Sequence, residues 1–273
     1  MNLLKSVVIA STVTLMSGCI VIADTARADH HQRKELSIDA ADIQVLDVNA
    51  GAGSLSVVGY DDVDEIQVVA DIYTDKEYSD NYILDLYHRN GKAYLVAKNK
   101  STSGVWSGNS PHINVTIRAP KHLALDIEDG SGNADIRNFA GNTKIKDGSG
   151  SLTVADIGGN LTIDDGSGNL TIDRVNGDLT LDDGSGDTDI TLVGGSIDVD
   201  DGSGDLTIRQ VTGYARVEDG SGDLSITNVS GKVTIDDGSG SIYVRDVQGL
   251  NIIEAGSGSL NVKGVEGGFD IDS

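Results

Sequence analysis

From residue 129 onward the chain alternates apolar and polar positions in short runs, and the alternation restarts at a fixed interval. Within 201–218 the stretch DGSGDLTIRQVTGYARVE places Leu206, Ile208, Val211, Ala215 and Val217 on one side of two short strands. Asp205, Thr207, Arg209 and Arg216 fall on the other side. Gly-Ser-Gly marks the restart, beginning at 130, 148, 166, 184, 202, 220, 238 and 256, an eighteen-residue period without exception. Another glycine falls midway, at 141, 159, 177, 195, 213, 231, 249 and 267, so each repeat is two strand-plus-turn units. Followed through eight repeats, the five inward columns hold 37 apolar residues in 40 positions, the exceptions being Thr143, Thr188 and Asn251. Asn251 stands between Leu250 and Ile252, which predicts a register slip or a buried polar group in that coil.

One such coil cannot bury its apolar side alone, whereas a stack of them can. The pattern therefore predicts an all-β fold, a parallel β-solenoid over 129–273 with coils ~4.8 Å apart, so that eight coils make a rod roughly 38 Å long. Strand-to-parallel-strand connections favour a right-handed path. A left-handed hexapeptide helix has the same coil length, but position 205 and its equivalents, which it would want apolar, are Asn, Asp or Ser throughout. Residues 43–128 are strand-rich and irregular: GAGSLSV (51–57) reads as a degenerate coil, and 82–98 as a hairpin around Asn90-Gly91, a pair suited to a two-residue turn. This region is expected to cap the N-terminal edge of the solenoid. Phe269, in place of Leu, Ile or Val, is expected to close the last coil.

Residues 1–28 change the picture from fold to address. Lys5 precedes an uncharged run of apolar and small residues, Ser6 to Gly18, which reads as an export signal. LMSGC (15–19) resembles a lipobox, with Cys19, the single cysteine of the chain, as the lipidated residue; ARA (26–28) offers the competing cleavage site. Ile20 after the cysteine favours the outer membrane, with a soluble periplasmic or secreted protein as the alternative. Residues 29–42 read as a polar tether in which His30 and His31 are solvated. No later stretch is apolar enough to span a bilayer as a helix, so membrane attachment is expected through lipid alone. Without a disulfide, stability must come from burial and hydrogen bonding.

The formal net charge of −23 repels phosphates and anionic headgroups, which argues against nucleic acid as a partner. Much of that charge lies in two neighbouring columns. One is Asp129, Asp147, Asp165, Asp183, Asp201, Asp219 and Asp237; the other reads Glu128, Lys146, Asp164, Asp182, Asp200, Glu218, Asp236 and Glu254. The simplest role of the first is to accept turn amides beside glycines of positive φ. Charges ~4.8 Å apart in water repel by only about 0.9 kcal/mol per pair, so exposed columns need no cation. Partly buried ones would want calcium, with Asp165, Asp183, Asp201, Asp219 and Asp237 as the candidate column. Aligned to the calcium-binding nonapeptide pattern, however, Leu206 occupies the liganding Asp position. No cofactor is expected, with calcium the alternative.

Paired carboxylates also suggest a glycosidase or lyase, but a catalytic pair needs an asymmetric cleft, and these repeats admit no inserted loop. Outward threonines such as Thr153, Thr171 and Thr207 are flanked by Asp, Asn, Arg or Lys, unlike a flat ice-binding ladder. The chain is expected not to be an enzyme.

VTIRAPKHLALDIEDGSGNADIRNFAGNTKIKDGSGSLTV (115–154) resembles the bacterial β-strand-repeat family that goes by the name "putative adhesins". The resemblance spans about 43–273. It implies an exported, often lipid-anchored protein of unknown biochemical function, and supplies no catalytic residues. A repeating face could hold a repetitive ligand such as a glycan or envelope polymer by many weak contacts. Tyr82, Tyr87, Tyr94 and Trp106, within the tyrosine-rich 73–106 segment, are the candidate binding aromatics. The alternatives are a calcium-stabilised roll and an envelope spacer with no ligand.

Overall fold

The structure is a computed structural model that describes residues 28–77, 79–100 and 110–271. Cys19 with the LMSGC stretch, Ala26, Arg27 and Trp106 lie outside those residues. Among the described residues the secondary structure is strand throughout, and no helix is long and apolar enough to cross a membrane.

The chain first lays down β1 (His30–Asp39), β2 (Val45–Ala50), β3 (Leu55–Tyr60) and β4 (Glu65–Thr74). A hairpin, β5 (Tyr82–Arg89) and β6 (Lys92–Asn99), follows, then β7 (His112–Pro120) and β8 (Ala124–Asp129). The regular coils come next as β9 (Ala134–Phe139), β10 (Thr143–Asp147), β11 (Leu152–Ile157), β12 (Leu161–Asp165), β13 (Leu170–Val175) and β14 (Leu179–Asp183). They continue as β15 (Thr188–Val193), β16 (Ile197–Asp201), β17 (Leu206–Val211) and β18 (Ala215–Asp219). β19 (Leu224–Asp237) and β20 (Ile242–Ala255) each run through a whole coil, and β21 (Leu260–Val265) and β22 (Phe269–Ile271) form the last.

Hydrogen bonding arranges these strands in two faces. One runs β5-β6-β2-β8-β10-β12-β14-β16-β18-β19-β20-β22. The other runs β1-β4-β7-β3-β9-β11-β13-β15-β17-β19-β20-β21. From β8 and β9 onward every pairing is parallel and sets each residue against its equivalent in the next repeat, as Leu161 against Leu179, except where β20 slips. The parallel β-solenoid expected from the period is thus the observed fold. Inward residues of both faces meet in one apolar core that includes Leu206, Ile208, Val211, Ala215 and Val217, all 1% exposed or less.

Three features depart from the expectations. Residues 30–39, read as tether, are β1, paired antiparallel to β4; Leu36 and Ile38 pack on the core while its charged side chains face solvent, as an edge strand allows. His31 is exposed, as expected, but sits in a strand and not a spacer: its ring stacks on Tyr73 at 4.7 Å and its Nε2 lies 2.9 Å from Asp71 Oδ1. Phe269 pairs opposite Leu250 in three-residue β22 and stays 51% exposed rather than packing into the core. The slip at Asn251 is real: β20 shortens its corner so that Leu250 and Ile252 face inward, then bulges at Ile253.

Stacking at this pitch leaves the corners no space. A Cβ on Gly186, whose φ is +135°, would lie 1.7 Å from the carbonyl oxygen of Gly168 in the preceding coil. Along the outer surface, Asn and Asp side chains tie coil to coil: Asp187 Oδ1 accepts from the Asp205 amide at 3.2 Å, and Asp205 Oδ1 from Asp223 at 3.0 Å. This explains why that column admits only Asn, Asp or Ser. Gly186→Ala is expected to lower unfolding free energy by about 3 kcal/mol or more, through overpacking and positive φ together. Ser185→Ala beside it should shift stability by no more than about 0.5 kcal/mol, and denaturant titration of both variants checks the contrast.

Candidate functional site: a buried carboxyl column and an open groove

The strand alternation that buries Leu161 and Ile163 continues to Asp165, and the same holds in every regular coil. Asp129, Asp147, Asp165, Asp183, Asp201, Asp219 and Asp237 are in parallel register with one another and at most 6% exposed. The neighbouring column of Asp164, Asp182, Asp200, Glu218 and Asp236 points outward, exposed or half-buried. The two acidic columns therefore part company, one inside and one in solvent. The expected turn amide appears at two corners, where Ser167 donates to Asp165 at 3.2 Å and Ser185 to Asp183 at 3.1 Å. Thr188, a polar exception in the apolar columns, donates its hydroxyl to Asp183 at 2.6 Å. At Asp129, Asp147, Asp201, Asp219 and Asp237 neither carboxyl oxygen has a hydrogen-bond partner among the described residues.

Burial pushes all seven carboxyls up, and carboxyls in adjoining coils push several further. Asp129, Asp165 and Asp201 rise to about 7 and Asp219 to about 6. Asp147, Asp183 and Asp237 are also raised, opposed by nearby corner amides, which at Asp147 and Asp237 fall short of a hydrogen bond, and, at Asp183, by Thr188. At an effective dielectric of 20, two ionised neighbours ~4.8 Å apart would repel by about 3.5 kcal/mol, several times the cost in water. Among the described residues no group of three or more His, Cys, Asp or Glu is arranged to hold a metal ion.

The second feature is a groove of about 760 Å³ along the opposite corner. Each coil bends there through one residue of positive φ, and Asn138, Asp156, Arg174, Leu192, Gln210 and Asn228 form a column along its length. The bend lets the next residue, such as Ile157 or Val211, point inward again. The floor is closed by backbone bonds from coil to coil, Asn176 N–H to Ile157 at 2.8 Å and Gly194 N–H to Val175 at 2.7 Å. A visitor would meet side chains: Asn and Gln amides, the exposed Leu192, and Arg174, whose Nε and Nη2 reach Asp156 at 2.5 and 3.1 Å. That guanidinium holds the Asp156 carboxyl below its usual range.

The candidate aromatics do not share a surface. Tyr82 packs against the core beneath Lys34, whose Nζ is 5.0 Å from its ring. Tyr87 and Tyr94, across the hairpin, stack on each other at 5.1 Å. Tyr73 is sandwiched between His31 and His112, at 4.7 and 4.5 Å. Stacking takes both faces of Tyr73 but only one face each of Tyr87 and Tyr94, and Tyr87 stays 42% exposed. Tyr82→Ser should destabilise the protein by about 1–2 kcal/mol and Tyr87→Ser by less than about 1, a difference that thermal melts of the two variants would show.

The family model for Toastrack DUF4097 matches residues 56–230 and 160–271. No curated protein matches the chain. Among solved structures, the chain is similar to a "putative adhesin" from Parabacteroides distasonis at 15% identity, covering 91% of this chain and all of that one, with a TM-score of 0.38. A "putative cell adhesion protein" from Clostridium sporogenes is 14% identical over 86% of this chain and 99% of that one, at 0.34. A "putative lipid binding protein" from P. distasonis is 13% identical over 88% and 97%, at 0.40. The two family matches together span 56–271, and the chain belongs to the Toastrack DUF4097 family, a domain of unknown function.

Proposed function

We propose that this Toastrack-family chain is exported, anchored through a lipid on Cys19, and acts without catalysis as an extended binding surface of the cell envelope, holding a glycan or other envelope polymer along the groove. The groove carries this reading. It runs lengthwise past successive coils, so each coil adds one side chain to its lining and weak contacts accumulate along an extended ligand. Its amide groups at Gln210 and Asn228 suit hydroxyl-rich chains. The acidic outer surface disfavours phosphate-rich polymers and nucleic acid. The Asp156 carboxylate is taken up by Arg174 and is a poor candidate for acid–base work. The outer membrane is the expected address, on its periplasmic or its cell-surface side.

Affinity electrophoresis through gels carrying neutral envelope polysaccharide tests the binding role. Retardation of the protein is expected, with at least a tenfold loss of affinity in the double variant Leu192→Glu, Gln210→Glu. A rod that migrates unretarded through every such polymer, or whose retardation survives the double variant, would be a spacer or bind elsewhere. Mass spectrometry of the mature N-terminus tests the anchor separately: a diacyl- or triacylglyceryl-Cys19 is expected, and a free terminus at Asp29 would refute it.

A further inference from the structure

The carboxyl column poses a problem that the groove does not touch. Seven carboxyls are buried in register, and at five of them neither oxygen has a hydrogen-bond partner among the described residues. Neighbouring carboxyls stand in register one coil spacing, ~4.8 Å, apart, near enough for an O–H···O bond between oxygens turned along the axis. A protonated carboxyl donates to the next one along the axis, and that one to the next. A fully ionised column has acceptors only and no donor to join them. We propose that the aspartate column is a proton-sharing spine: the seven carboxyls hold protons between coils, and their loss as pH rises loosens the Gly-Ser-Gly corner along the rod.

The surroundings sharpen the assignment. Across the core, the side chains packed inside the coils are Leu, Ile and Val, with no basic residue among the buried ones to neutralise a carboxylate. The groups that act on the column are the corner amides and the Thr188 hydroxyl at Asp183, which favour the charged form, and the acids beside it: Asp164 acts on Asp165, Asp182 on Asp183, Asp200 on Asp201, Asp236 and Glu254 on Asp237, and Asp205 on Asp219. Every one of those acids disfavours ionisation. The raised carboxyls bind protons in the folded state at a pH where the unfolded chain has released them. Their stabilising effect is therefore complete below the ordinary carboxylate range, near 4, and is lost as pH rises through 6 to 7. The rod is firmest in a mildly acidic envelope and weakens toward alkaline pH.

Thermal unfolding of the full chain from pH 5 to pH 8.5 tests this, beside two variants. In the wild type the melting temperature should fall by several degrees as pH rises, and the inner variant Asp165→Asn, Asp183→Asn, Asp201→Asn should flatten that fall. The outer variant Asp164→Asn, Asp182→Asn, Asp200→Asn should retain it. A pH-independent wild-type melt, or a fall abolished only by the outer variant, overturns the proposal. Carbon-13 titration of the wild-type aspartate carboxyls serves if the inner variant does not fold: several resonances should titrate near pH 6–7, and completion of all of them below pH 5 would refute the spine. A melting temperature at pH 8 raised by many degrees with millimolar calcium, and lowered again by chelator, would make the column a cation site and overturn proton sharing.

Discussion

The constraint from which the rest follows is parallel, in-register stacking of coils of equal length. Each strand residue from Leu125 to Asp237 finds its equivalent one coil away at ~4.8 Å, so every position becomes a column and every column inherits one environment. Apolar columns make a continuous core. Columns at the Gly-Ser-Gly corner must be glycine, because a Cβ there would meet the previous coil's carbonyl oxygen at less than 2 Å in several coils. Outer columns of Asn, Asp and Ser persist because their side chains cap amides of the next coil. The same rule that makes these ties repeat also places like charges together, and the fold answers by sending one acidic column out and the other in.

That division gives the rod two corners of different character. The Gly-Ser-Gly corner is closed and lined inside by carboxyls. The opposite corner bends through residues of positive φ and leaves an open groove whose side chains vary from coil to coil. Uniform chemistry thus sits inside, where it affects cohesion, and variable chemistry faces outward, where it can meet a ligand. The family and its solved relatives leave function open, so the groove and the carboxyl spine stand on their own geometry.

Much of this was legible in the sequence, and the rest had identifiable reasons to be missed. The eighteen-residue period announced the solenoid and its core columns, down to the slip at Asn251. The inward aspartates were legible too: in LTIDD the alternation that buries Leu161 and Ile163 reaches Asp165 at its next inward step. Ending the alternation at the acidic pair left that residue as a turn. The groove corner shows as a break in phase, Leu206, Ile208, then Val211, although the bending residues themselves share no chemistry. β1 was not legible, because an edge strand held by backbone bonds to β4 needs few apolar residues. Nor could Tyr82 and Tyr87 have been expected on one face, since an odd separation along a strand reverses direction.

Amide hydrogen exchange at the corner glycines tests the stacking most directly. Gly150, Gly168, Gly186 and Gly204 each donate to a serine carbonyl of the next coil at 2.9–3.0 Å. Their amides should therefore exchange as slowly as those of Leu170 and Leu206 at the starts of the adjoining strands, although they lie in turns. Exchange of these glycines at the rate of an ordinary exposed turn, with the strand amides still protected, would contradict a ladder that passes unbroken through the corners.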